Sequence, residues 1–187
     1  MTQKSKFIAL GDSLTYGYPF GQKYSWVELL SQRLGINIEN SGINGNTFRD
    51  MWNRLLSDVI DLKPDYVILM GGANDVCQGH KIENLEQNFL KLIQTLEEYK
   101  IRPIIGLSPP VEQKDLEAVL NEFREFARKK ARKFKWPVID FYTSFLDPKK
   151  KTKRPQVGLL EDGVHPSAEG YRLMADVATP VLSKILK

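Results

Sequence analysis

A chain of 187 residues, 42% of them hydrophobic and 27% charged, is long enough for one sizeable core and short for two. Its mean hydropathy is −0.35, and no window approaches the run of about 18 apolar residues that a membrane span needs, which argues against stable membrane insertion. A single cysteine, Cys77, and two histidines exclude an intrachain disulfide and a thiolate metal cluster, and argue against a multi-histidine zinc site.

The net charge of +4 is uneven: eleven of the 27 basic residues lie in Arg128–Lys135 and Lys149–Arg154. Such clusters are read as a solvated helix end and a solvated loop. They lack the interleaved aromatics or recognition motif of a nucleic-acid surface, so no nucleic-acid partner is expected. The amino-terminal Met-Thr-Gln-Lys-Ser-Lys runs into an apolar strand with no signal-like stretch, which points to a cytoplasmic protein.

Apolar runs and helical periodicities then alternate along the chain, the signature of βαβ units and a parallel sheet. The first strand spans about Lys6–Gly11 and ends abruptly at Gly11, with Ser13 two positions on. Tyr16, Tyr18, Phe20 and Tyr24 follow in a loop. Ser25-Trp-Val-Glu28 has the spacing of a capping box, opening a helix over about Ser25–Leu34 that stops at Gly35. The second strand is expected at Ile36–Asn40, and a loop carrying Gly45 follows it. One helix is expected over Thr47–Leu62, with Phe48, Met51, Trp52, Leu55, Leu56, Val59 and Ile60 on its apolar face and Pro64 beyond its end.

Asp65–Met70 reads as the third strand and Gly71–Asp75 as a loop. A third helix over Leu85–Lys100 and a fourth strand over Pro103–Leu107 come next, the strand ending at the stiff Ser108-Pro-Pro110. Lys114–Lys133 is helical and Trp136–Phe141 is the fifth strand. Tyr142–Gly163 is a long irregular segment, and the last helix reaches about Leu186 with Pro166 in its first turn. With no repeat or linker, residues 1–187 are expected to form one domain. Five strands in a doubly wound sheet commonly take the order 2-1-3-4-5. That order brings the loops at Gly45, Ser13 and Asn74 to one place on the carboxyl edge, where open α/β sheets bind ligands.

A serine at that edge is a poor nucleophile without a base. His165 lies in Asp162-Gly-Val-His-Pro166, and an acid three residues before a histidine in a turn can receive its Nδ1 proton, leaving Nε2 for Ser13. His80 follows Gln78-Gly79 with no acid at comparable spacing and is read as a solvated side chain. An oxyanion requires preorganised donors, and the backbone N–H groups of Ser13 and Gly45 and the Asn74 amide are the candidates.

These segments together resemble the GDSL, or SGNH, hydrolases. Gly11-Asp-Ser-Leu-Thr-Tyr-Gly17 matches the first block of that family. Asn40-Ser-Gly-Ile-Asn-Gly45, Gly72-Ala-Asn-Asp75 and Asp162-Gly-Val-His-Pro166 match the others, in order. The resemblance implies a flavodoxin-like α/β/α sandwich and a cofactor-free, metal-free serine esterase or acylhydrolase. It implies Ser13 as nucleophile, His165 as base and Asp162 as its orienting acid. It also implies an oxyanion hole from Ser13, Gly45 and Asn74, and acyl esters as substrates. The family spans short-chain esterases, lysophospholipases, thioesterases and sugar deacetylases, and the compact length favours small or short-acyl esters. The rival reading is a non-catalytic flavodoxin-like module that uses Gly11–Thr15 to hold the phosphate of a flavin or nucleotide.

Among the remaining residues, Cys77 is expected to be a small buried apolar side chain. Asp12 is expected to anchor the turn by accepting from backbone amides. Tyr16, Tyr18 and Phe20 either wall a pocket or cover the first helix, and Ser108-Pro-Pro110 is a candidate wall.

Overall fold

The structure, a computed structural model, describes residues 5–148 and 155–187. The basic cluster at 149–154 lies outside the described residues. Five parallel strands form one sheet: β1 (Phe7–Gly11), β2 (Ile38–Gly42), β3 (Tyr66–Leu69), β4 (Arg102–Leu107) and β5 (Val138–Asp140). Their order is β2-β1-β3-β4-β5, as expected for a doubly wound sheet. In β1 every residue is buried, because helices cover both faces and leave no polar side to the strand.

Side chains alternate between the two faces. Ile8, Leu10, Val67, Leu69, Ile105 and Leu107 enter one core, and Phe7, Ala9, Tyr66, Ile68 and Ile104 enter the other. The second core is closed by α2 (Trp26–Leu34) and α9 (Ala168–Ile185), the first by α3 (Phe48–Asn53), α6 (Ile82–Glu98) and α7 (Lys114–Phe134). The result is the α/β/α sandwich expected from the alternation.

Capping explains several boundaries. Ser25 Oγ accepts from Glu28 N at 3.2 Å at the start of α2, and Gly35 closes it in the left-handed region. The Glu28 carboxylate does not complete a box; it accepts from Gln32 Nε2 at 2.8 Å instead. The complete capping box belongs to Thr47 and Asp50. Ser167 caps α9, so Pro166 stands before the helix, in an isolated bridge to Leu160.

Several elements depart from the sequence expectation. The second strand begins two residues later, because Ile38 to Gly42 are the residues that pair with Phe7 to Gly11. The helix expected over Thr47–Leu62 is broken into α3, α4 (Leu55–Asp58) and a 3-10 turn at Ile60–Leu62. The first break falls at Arg54, whose backbone leaves the helix at φ −106°, ψ 5°. Trp52 and Leu56, on the expected apolar face, are 36% and 58% exposed. Periodicity alone overestimated the width of the buried stripe.

Two short helices replace expected loops: α1 (Ser13–Tyr16) after β1, and α5 (Ala73–Cys77) after β3. A third, α8 (Phe141–Phe145), begins the segment read as irregular. The first of these packs hard against β2. A Cβ on Gly42 would lie 2.2 Å from Tyr16 N, and one on Gly11 would lie 2.1 Å from Thr15 Oγ1 and 2.8 Å from Met70 O. Both strand ends need glycine because another segment touches the backbone there. Gly42→Ala is expected to destabilise the protein by about 1–3 kcal/mol, the usual range for overpacking, as read in a denaturant melt.

Candidate active site

The site begins at the carboxyl end of β1. Asp12 is fully buried and caps α1, its Oδ1 accepting from Leu14 N at 2.9 Å. This is the backbone anchoring expected of Asp12. Ser13 is the first residue of the helix and 7% exposed. The N–H of a first helical residue has no partner within its own helix and points outward from the terminus. Asn40 steadies the turn from β2, donating from Nδ2 to Thr15 O at 2.9 Å and to Ser25 Oγ at 3.1 Å.

Asp162 and His165 arrive from the other end of the chain. Asp162 Oδ1 accepts from Val164 N at 3.0 Å and His165 N at 2.8 Å, which winds the turn around the carboxylate. Its Oδ2 lies 2.8 Å from His165 Nδ1, and His165 Nε2 lies 3.0 Å from Ser13 Oγ. The loop is held by Glu112 N, which donates to Gly163 O at 2.8 Å, and by Glu161 N, which donates to His165 O at 2.8 Å. Partial burial works against the Asp162 carboxylate. The donors from His165 and Val164 outweigh it and hold the group below the usual carboxylate range. Asp162 is therefore an anion at neutral pH, suited to hold one imidazole tautomer.

The remaining candidates converge as their strand order predicts. Asn74 sits in the first turn of α5 and donates from Nδ2 to Asn46 O at 3.0 Å. The same nitrogen lies 3.5 Å from Asp12 Oδ2. Gly45 is exposed on the loop between β2 and α3, and Asn46 N donates to Ile43 O at 3.2 Å across the tip of that loop. Beside them Asp75 is buried, its Oδ2 accepting from Phe48 N at 3.1 Å. Its Oδ1 lies 3.7 Å from His80 Nδ1. His80 thus has an acid neighbour after all, five residues earlier, which the spacing did not suggest.

A scan against family models matches residues 9–173 to the GDSL-like lipase/acylhydrolase family. The chain belongs to that family. It is 29% identical over 159 residues to the acetylxylan esterase of Geobacillus stearothermophilus, covering 76% of this chain and 70% of that protein. It is 25% identical over 176 residues to thioesterase 1/protease 1/lysophospholipase L1 of Escherichia coli K12, covering 90% of this chain and 79% of that protein. Among solved structures, a protein assigned to the G-D-S-L family of Desulfitobacterium hafniense DCB-2 superposes with a TM-score of 0.87 at 32% identity. That match covers 95% of this chain and 99% of the other. The protein is a carboxylic ester hydrolase of the GDSL type.

The hydrolase departs from the sequence expectations at several side chains. Cys77 is exposed rather than buried, and its thiol is pushed up by partial desolvation and by the Asp12 charge, away from a reactive thiolate. Tyr18 is 41% exposed with its ring 4.6 Å from the His165 ring, and Phe20 packs edge-on to Tyr171. Ser108, Pro109 and Pro110 are buried, and Arg124 grips the Ser108 and Pro109 carbonyls at 2.9 and 2.8 Å. The rival phosphate loop is disfavoured, because the Asp12 carboxylate occupies the Leu14 N–H that a phosphate would need. An open cavity of about 740 Å³ lies at the opposite edge of the sheet, lined by Tyr66, Arg102 and Trp136, and includes none of the candidate residues.

Burial raises the Asp12 carboxyl to about 7; the Leu14 N–H works against the shift and the Asp75 charge adds to it. Between the ordinary value of 3.8 and about 7, the folded chain keeps a proton that the unfolded chain has lost. Stability from this group is therefore fully present below about pH 4 and is lost as pH rises through about 7. Asp12→Asn removes that titration. The difference in Tm, variant minus wild type, is expected to grow from about pH 4 to about pH 7 and then level off, as thermal melts from about pH 4 to about pH 8 would read.

Proposed function

We propose that this hydrolase works by two-step acyl transfer through Ser13, with His165 as base and Asp162 as the acid that orients it. The reading is carried by one observation, the unbroken hydrogen-bonded series from Asp162 Oδ2 through His165 to Ser13 Oγ. The hydroxyl attacks an ester carbonyl as His165 Nε2 takes its proton, and Asp162 stabilises the imidazolium formed. The carbonyl oxygen becomes an anion between Ser13 N–H, Gly45 N–H and the Asn74 amide, whose second hydrogen exchanges its long 3.5 Å contact with Asp12 Oδ2 for the oxyanion. His165 then protonates the leaving alcohol. Water, deprotonated by His165 in turn, attacks the acyl-Ser13 carbonyl, and collapse of that second oxyanion releases the acid and restores Ser13. No cofactor or metal enters this scheme.

Substrates with small or short acyl groups suit the surroundings. Residues 43–45 of the oxyanion loop are exposed, and Tyr18 stands half-open against His165. The site is thus bordered by surface side chains rather than set deep in the apolar core. The similar protein named acetylxylan esterase agrees with a short acyl group, whereas the one named thioesterase and lysophospholipase represents the longer-chain alternative.

Ser13→Ala and His165→Ala are each expected to lower turnover of p-nitrophenyl acetate by at least about 10³, and Ser13→Ala to abolish labelling by a fluorophosphonate. Asn74→Ala should lose about 10²–10³ in kcat, the usual effect of removing one oxyanion donor. Full activity in Ser13→Ala would overturn the mechanism. Across p-nitrophenyl esters from acetyl to palmitoyl, kcat/KM should be highest at the short end; a maximum at palmitoyl would transfer the assignment to long-chain lipids.

A further inference from the structure

We propose that Arg54 and Asn46 are positioning residues that set the oxyanion donors. The inference rests on the acyl-transfer reading above. Arg54 lies at the break between α3 and α4, and its side chain is 14% exposed. A guanidinium has five N–H donors in a rigid plane, and here each meets an acceptor. Nε donates to Asn46 Oδ1 at 2.7 Å. Nη1 donates to Ser41 Oγ at 3.1 Å and to Asp58 Oδ2 at 2.7 Å. Nη2 donates to Gly11 O and to Ser41 O, both at 2.9 Å.

All of these acceptors except Asp58 belong to the two segments that must be held in register. Gly11 ends the strand that leads to Ser13, and Ser41 stands one residue before the end of the neighbouring strand. Asn46 follows Gly45 in the oxyanion loop. Asn46 therefore has a partner on each side: Arg54 holds its side chain, and its own carbonyl orients the Asn74 amide at 3.0 Å. A single, largely enclosed cation thus fixes the spacing between the nucleophile strand, the Gly45 loop and, through Asn46, the Asn74 donor. Errors of a few tenths of an ångström matter for such donors, because they must meet the oxyanion rather than the ground-state carbonyl.

The alternative is that Arg54 merely stabilises the fold. Its charge partner Asp58 is four residues away on the same segment, and that pair alone would serve such a role. The bonds to Gly11, Ser41 and Asn46 cross between segments and are the ones a lysine cannot reproduce, since a point ammonium has no planar fork.

The test uses the whole chain, with p-nitrophenyl acetate as substrate and a short alkylboronic acid as an oxyanion-bearing inhibitor. The variants are Arg54→Lys, Asn46→Leu and Asn46→Asp, with kcat expressed per folded molecule from circular dichroism. Arg54→Lys and Asn46→Leu should each lower kcat by roughly 10–10² and leave KM within about threefold, since ground-state binding is untouched. The boronate inhibition constant should rise in parallel with the loss of kcat/KM. Asn46→Asp keeps the acceptor for Arg54 Nε and should retain at least about tenfold more kcat than Asn46→Leu. The double variant should be no worse than the poorer single one, because both remove the same link. A lowered Tm with kcat and boronate affinity unchanged in Arg54→Lys and Asn46→Leu would overturn the inference. So would Asn46→Asp falling as far as Asn46→Leu. If Arg54→Lys does not fold, the two Asn46 variants decide the question. Absence of Ser13-dependent turnover in the wild type would instead overturn the acyl-transfer reading, and this inference with it.

Discussion

The site depends on the parallel register of β1 with both of its neighbours. Leu10 stands opposite Ser41 on one side and Leu69 on the other, so three strands end almost level. Parallel strands deliver their connections to the same edge of the sheet. From that edge α1 carries Ser13, the next loop carries Gly45 and Asn46, and α5 carries Asn74. A slip of one residue in either pairing would turn the strand's side chains to the wrong core and move one donor away from the others. The same buried register that satisfies the two hydrophobic layers therefore brings the chemistry to one point.

Buried charge is the second constraint on that edge. Asp12 and Asp75 are both excluded from water, and burial pushes both carboxyls up. Each also accepts a backbone N–H that starts a helix: Leu14 N for Asp12 and Phe48 N for Asp75. Two full negative charges so close to a developing oxyanion would oppose it. The upward shift of Asp12 lessens that opposition below about pH 7. Arg54 places a fixed positive charge against the Gly45 loop, with its donors fully engaged. The arrangement keeps the cost of partly enclosing the cation small, because every N–H of the guanidinium is met.

Much of the site could be read directly from the residues. Ser13 after an abruptly ended strand, and Asp162 three residues before His165, are local patterns with local physical causes, and the structure brings these residues together. The Gly45 loop and Asn74 are legible from the strand order, which brings their loops beside Ser13, and again from the ordered motif blocks. Other participants carried no such mark. Arg54 reads as one more polar position in a helical period, and its side chain acts on Gly11, 43 residues away. His80 lacked an acid at helix-like spacing, yet the turn from α5 to α6 folds it back on Asp75. Cys77 is exposed because it is the last residue of a single short turn whose buried face is taken by Ala73 and Val76.

The sequence by itself determined the alternation of strand and helix, the apolar faces, most caps and the identity of the reactive groups, because each depends on neighbours within a few residues. Only the tertiary structure decided which strands are adjacent and where the long amphipathic stretch breaks. It also decided which acceptors surround Arg54 and how the Asp162–His165 turn meets Ser13 across 152 residues of chain. Those features arise from packing two cores against one sheet, in which each contact is set by the whole arrangement and not by any local pattern.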